Sequence, residues 1–162
     1  MMPSTPNTCG YDVVLDLPFG RFGLLFSADR IWEMAFLPPD TPLRPAIHPI
    51  AIEAVARIEK WLATPQTCLV LPLHQRGTPF QQRVWEAIRT VPSGQVTTYG
   101  TLATQLGSAP RAVGQACGSN PFPLATPCHR IVSATGLGGF SHASDGFLLQ
   151  IKRWLLHNEG YQ

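Results

Sequence analysis

The sequence is poor in charge and in cysteine, and both shortages exclude whole classes of protein. Only 14% of its 162 residues are charged while 44% are hydrophobic, the balance of a packed globular chain and not of a disordered one. Its four cysteines, Cys9, Cys68, Cys117 and Cys128, form no Cys-x-x-Cys pair and no regular framework, which argues against a structural zinc site and a disulfide scaffold. His48, His74, His142 and His157 lack metal-ligand spacing, so neither a metal nor another cofactor is expected. No basic segment leading into an apolar run opens the chain, so no signal peptide is expected. No stretch approaches the roughly 20 apolar residues of a membrane span. A cytoplasmic protein with reduced thiols fits these absences. Internal repeats and low-complexity segments are lacking as well.

What is present divides the chain in two. Residues 1–76 hold six basic and seven acidic side chains, whereas residues 77–162 hold six basic and only three acidic ones. The basic excess of the second half permits a polyanionic partner without requiring it. In the first half, "YDVVLDL", "GRFGLLFSA" and "RIWEMAFL" read as three short strands rich in Val, Leu and Phe, separated by turn residues. Ile50, Val55, Ile58, Trp61 and Leu62 recur near a 3.6-residue period and predict an amphipathic helix from Pro49 to Leu62. "TCLVLPL" reads as one more strand. Residues 1–76 are therefore expected to form a small antiparallel sheet with one helix, a scaffold domain without a chemical cluster.

The second half carries sharper signals. In "GTPFQQRVWEAIRTV", Thr78 is an N-cap, Pro79 stands at the first helical position and Gln81 completes a capping box. Phe80, Val84, Trp85, Ile88 and Val91 form its apolar stripe. A helix from about Thr98 and a second one, "RAVGQACG", flank a short Gly-Ser-Ala-Pro turn, the sequence pattern of a helix-turn-helix. A last helix runs from about Phe147 to Asn158, with Gly160 as its C-cap glycine. The fold class expected is α/β in the α+β sense. Residues 77–162 form a mainly helical domain with a helix-turn-helix of winged-helix type.

The chemistry concentrates in "PCHR" at 127–130, flanked by "SNP" at 119–121 and the glycine-rich "TGLGGFS" at 135–141. A reactive cysteine needs its thiolate favoured, and an imidazole or a cation does this. Cys128 and His129 are adjacent, and adjacent residues in a strand face opposite ways. They cooperate only where the backbone turns, or through a bridging water. A carboxylate at the far ring nitrogen would orient such an imidazole. The acids available in this half are Glu86, Asp145 and Glu159, of which Glu159 is the candidate. Cys9, Cys68 and Cys117 have no activating neighbour in sequence and read as structural or incidental.

Taken together, "GTPFQQRVWEAIRTVPSGQVTTYGTLATQLG", "RAVGQACGSNP", "PCHRIV" and "KRWLLHNEG" resemble the O6-alkylguanine-DNA alkyltransferases, also called methylated-DNA–protein-cysteine methyltransferases. The resemblance is dense from Gly77 to Gly160 and loose before it. It implies a monomer that binds double-stranded DNA through the minor groove and rotates the damaged guanine out of the stack. The O6-alkyl group, or the O4-alkyl group of thymine, then passes once and irreversibly to cysteine. By that resemblance Cys128 is the nucleophile, His129 its water-linked base, Glu159 the orienting carboxylate and Asn120 the tie between the helix pair and the active-site turn. Arg111 would fill the gap left by the extruded base. Tyr99 would press on the neighbouring phosphate, while Ala112, Gly114 and Ala116 allow close approach of the helix to the groove. Pro127, Gly139, Phe140 and Ser141 would line the base pocket. Thr126 and Phe140 depart from the family pattern, which has a branched apolar residue and often tyrosine at these places. The alternative is a helix-turn-helix regulator whose Cys128 senses oxidation or alkylation. A third class is a thiol hydrolase or redox enzyme without a DNA partner.

Overall fold

The computed structural model describes residues 10–138 and 146–161. The chain is mixed α and β and divides into two compact units, Met1–Gln75 and Arg76–Gln162. Among the described residues no helix is long and apolar enough to cross a membrane.

The first unit is built on an antiparallel meander of β1 (Val13–Leu17), β2 (Gly20–Ser27) and β3 (Arg30–Leu37). Two-residue loops join the strands, so the register follows directly: Leu17 faces Gly20 and Ser27 faces Arg30. Phe22 faces Phe36 across the sheet and meets its ring at 5.3 Å, with Phe19 edge-on to both. The other face buries Tyr11, Val14, Leu25 and Leu37. Gly23 is required there, because a Cβ would lie 2.8 Å from the Tyr11 ring. Helix α1 (Pro49–Ala63) starts on a His48 cap whose imidazole accepts from the Ile50 amide, and buries Ala51, Ala54, Ile58, Trp61 and Leu62. Ile50 and Val55 of the expected stripe are only half-buried.

The strand expected at 67–73 does not form. Val70 is 67% exposed, and the segment pairs with β3 at one isolated bridge, Leu73 with Ile31, beside which the Arg30 guanidinium donates to the Leu73 carbonyl at 3.3 Å. Pro72 lacks the N–H that a ladder needs, so pairing stops at one exchange: Ile31 donates to Pro72 and His74 donates to Ile31.

In the second unit, α2 (Pro79–Arg89) opens with the reciprocal capping box. The Gln81 amide donates to Thr78 Oγ1 at 3.1 Å and the Thr78 amide to Gln81 Oε1 at 2.9 Å. Val84, Trp85 and Ile88 are buried, while Phe80 and Val91 are half-buried. Helix α3 (Tyr99–Leu106) ends on Gly107 in the left-handed conformation. After Ser108 and Ala109, α4 (Pro110–Gly118) begins with its proline in the first turn. The three helices pack on one another, and Trp85 Nε1 locks α2 to α4 by donating to the Ala116 carbonyl at 2.8 Å. A two-residue parallel pairing joins β4 (Thr97–Thr98) to β5 (Ile131–Val132), and α5 (Phe147–Asn158) packs against the turn before β5.

Removing the cap hydroxyl by Thr78→Ala leaves one α2 amide without its acceptor and is expected to cost about 1 kcal/mol. Urea unfolding of the second unit will show it as a lower midpoint, with Thr78→Ser near wild type. An unchanged midpoint in Thr78→Ala would mean that the box contributes nothing.

Candidate active site

The site grows from one turn. Residues 128–130 form a single 3-10 turn, so Cys128, His129 and Arg130 are not spread on alternating sides as a strand would spread them. All three side chains are buried, at 6%, 1% and 8% exposure. Immediately after the turn, β5 pairs with β4, which leads straight into α3. This short parallel ladder holds the helix-turn-helix beside the cysteine.

Glu159 meets the turn from the end of α5. The helix closes in a Schellman arrangement, the Gly160 amide bonding to the His157 carbonyl and the Tyr161 amide to that of Leu156. Gly160 takes φ +91 to allow it. Glu159 is thereby the C-cap residue, 4% exposed, with Oε1 3.1 Å from His129 Nε2. Arg130 grips the same carboxylate: its Nε donates at 3.0 Å to Oε1, its Nη2 donates to Oε2, and its Nη1 donates at 2.8 Å to the Val91 carbonyl. Burial alone would raise the Glu159 carboxyl, but His129 and Arg130 outweigh it and draw the group down to about 2. Burial keeps the His129 imidazole below its ordinary range in spite of Glu159, with Arg130 and Lys152 adding to the depression.

Cys128 Sγ sits against the end of α4. It donates to the Cys117 carbonyl at 3.6 Å and accepts from Asn120 Nδ2 at 3.2 Å. The Cys117 thiol and burial hold the Cys128 thiol well above its ordinary range, while the Asn120 amide and the Lys152 ammonium pull the other way. A protonated thiol beside a neutral imidazole is the resting state this produces. Asn120 Nδ2 also donates to the Thr126 carbonyl at 2.9 Å, two residues before the cysteine.

Of the remaining expected site residues, Tyr99 stands at the first position of α3. Burial, with Cys117 and Cys128 adding to it, raises its phenol to about 12. Its ring closes on Gly138, where a Cβ would lie 3.2 Å from the Tyr99 ring. Arg111 is exposed in the first turn of α4, and Ala112 and Gly114 are half-exposed. A Cβ at Gly114 would meet nothing within 4 Å, so this helix surface is open. Ala116 needs correction: it is 3% exposed and faces inward, with its carbonyl held by Trp85, so it does not share the open surface with Arg111. Pro127 is buried directly before the turn, whereas Gly139, Phe140 and Ser141 lie outside the described residues.

Two contributors escaped the sequence. Cys117, which read as structural or incidental, is buried and accepts from the Cys128 thiol at its carbonyl. Lys152 is wholly buried in α5 and donates from Nζ to the Ile131 carbonyl at 2.7 Å. Burial lowers its ammonium to about 8, with Cys128 and Cys117 opposing the shift. The signal was available: Lys152 stands in the apolar stripe with Leu149, Leu155 and Leu156, where an unpaired cation would be costly.

These pairings make the fold acid-sensitive. His129 is depressed below its ordinary 6.5, so stability declines as pH falls past that value and the unfolded chain takes up the proton first. Glu159 adds stability that is full above its ordinary 4.5 and is lost as pH falls through about 2. The thermal midpoint is expected to drop across both windows, and Glu159→Gln to be less stable at neutral pH with a flatter acid limb. A midpoint independent of pH from 7 to about 2 would contradict the pairing.

Comparison with known proteins follows the same residues. The family described as 6-O-methylguanine DNA methyltransferase, DNA binding domain, matches residues 79–161. A methylated-DNA–protein-cysteine methyltransferase of Shigella flexneri is 49% identical over 94 residues, 56% of this chain. The match spans about half of that relative, 52% of its length. The protein of that name from Mycobacterium bovis is 38% identical over 130 residues, covering 75% of this chain and 78% of the relative. Among solved structures, a Mycobacterium tuberculosis O6-methylguanine methyltransferase superposes with a TM-score of 0.73 at 33% identity. A Mycobacterium tuberculosis OGT in complex with DNA superposes with 0.74 at 35% identity. Both cover 90% of each chain. With its family-matched segment running from the capped helix through the cysteine turn to the buried glutamate, the chain belongs to the methylated-DNA–protein-cysteine methyltransferase family.

Proposed function

We propose that the protein repairs double-stranded DNA by moving the O6-alkyl group of guanine onto Cys128. The observation that carries the reading is the site geometry: a buried thiol clamped by Asn120, followed on one turn by an imidazole backed by a buried carboxylate. In the resting site the thiol is protonated and the imidazole neutral. His129, through a water, takes the thiol proton as the substrate is engaged, and Glu159 stabilises the imidazolium that forms. Lys152 and the Asn120 amide favour the thiolate. The sulfur then attacks the alkyl carbon in line, an S–C bond forms, the C–O6 bond breaks, and guanine leaves with its electron pair and recovers a proton. The product is a thioether with no ready leaving group, so each chain reacts once.

A buried sulfur reaches its target only if the base leaves the helical stack, at an unstacking cost of a few kcal/mol. The exposed face of α4 supports this reading: Arg111 occupies the gap in the stack, while Ala112 and Gly114 admit a minor-groove wall. Tyr99, beside the cysteines, turns the phosphate of the displaced nucleotide. The same in-line chemistry extends to O4-alkylthymine. Residues 77–162 act as the DNA-binding and alkyl-acceptor domain and residues 1–76 as scaffold. The protein works as a monomer, in the cytoplasm, where thiols stay reduced.

Duplex DNA bearing O6-methylguanine labelled in the methyl group tests this. One label per chain is expected, on Cys128, and none on Cys128→Ala. Label that stays on the DNA would favour a sensing regulator, and more than one transfer per chain would refute the single-use chemistry. Arg111→Ala is expected to slow repair of the duplex about tenfold or more while sparing transfer from the free base, O6-methylguanine. Equal losses on both substrates would remove Arg111 from base displacement.

A further inference from the structure

Thr126 departs from the apolar residue expected two places before the cysteine, and its surroundings explain what a hydroxyl does there. The residue is completely buried. Each of its polar groups is engaged. Its amide donates to the Phe122 carbonyl at 2.8 Å. Its carbonyl accepts from the Cys128 amide at 2.8 Å and from Asn120 Nδ2 at 2.9 Å. Its Oγ1 accepts from Arg89 Nε at 2.9 Å. Asn120 Nδ2 also reaches Cys128 Sγ, so the Thr126 peptide and the sulfur share one donor. A shift of that peptide therefore moves the sulfur's hydrogen bond and the Cys128 backbone together.

Residues 119–127 contain no helix or strand, and Leu124 takes φ +77, a costly value for a residue with a side chain. Such a loop does not hold a nucleophile to a fraction of an ångström by itself. Arg89 lies in the last turn of α2, the helix fixed by the Thr78 capping box and by Trp85. Its charged donor makes a stronger bond to a hydroxyl than a neutral group would. A valine would fill the same space and leave the loop without this tether. Burial lowers the Arg89 guanidinium from its ordinary range, with Glu86 and Cys128 opposing the shift.

We propose that Arg89 is a positioning residue for Cys128, acting through the Thr126 hydroxyl on the peptide that holds the sulfur. The proposal rests on Cys128 being the alkyl acceptor, and two readouts separate the ideas: single-turnover methyl transfer from an O6-methylguanine duplex, and carboxamidomethylation of Cys128 by iodoacetamide followed by mass spectrometry. Thr126→Val and Arg89→Met are each expected to slow both reactions about 3- to 10-fold, the scale of one lost hydrogen bond, with DNA affinity within about twofold of wild type. The double variant is expected to be no slower than the slower single one. Thr126→Ser, which keeps the hydroxyl and gives up the methyl, is expected to remain near wild type. A fast Thr126→Val with a slow Thr126→Ser would show that packing alone matters and would overturn the proposal, as would additive losses. If wild type transfers no methyl group while the iodoacetamide rates follow the expected order, the repair reading fails and the tether stands.

Discussion

A carboxylate held out of water at the end of a helix is the constraint on which the site depends. Glu159 lies where the partial negative charge of α5 accumulates, and both burial and the helix dipole disfavour its ionised form. It stays ionised because Arg130 binds it through two nitrogens and His129 approaches from the same turn. That requirement places the 3-10 turn against the end of α5. The turn in turn places Cys128 against α4, and β5 continues into the pairing that reaches α3. Removing either partner would leave a buried charge short of hydrogen bonds, so the pieces hold together as one unit.

The same geometry sets opposed pulls on the sulfur. Cys117 and burial favour the thiol, while Asn120 and Lys152 favour the thiolate. The imidazole next to it is kept neutral by burial yet has a carboxylate ready to support its charged form. A site in this condition stores no permanent thiolate to be lost to stray electrophiles. Its proton would move once something at the sulfur made the charged pair favourable, a behaviour that suits the single transfer proposed for Cys128.

Much of this architecture is legible in the residues alone. Thr78, Pro79 and Gln81 announce the start of α2 because a capping box is a local exchange of hydrogen bonds within four residues, and Gly160 marks the end of α5 for the same reason. The three strands of the first unit are readable from their apolar runs and two-residue turns. The segment at 67–73 misleads because its apolar letters match a strand, while Pro72 removes a donor at the one place where pairing had begun. Ala116 misleads in another way. Its small size fits a groove-facing helix as well as a tight helix–helix contact, and only the packing of Trp85 chooses between them.

By itself the sequence determined the local elements and the order of the chemistry. The thiol, imidazole and guanidinium are consecutive, and the resemblance to a known family rests on that order. Tertiary structure decided the rest, because the distances that matter join residues far apart in the chain: Arg130 to Glu159 across 29 positions, Arg89 to Thr126 across 37, Lys152 to the carbonyl of Ile131 across 21. Residue type states what a side chain is able to do. Burial and the choice of partner, which no local pattern encodes, set Cys128 against the end of α4 at Cys117 and the Glu159 carboxylate against His129. They also made a threonine out of pattern into the anchor of a loop.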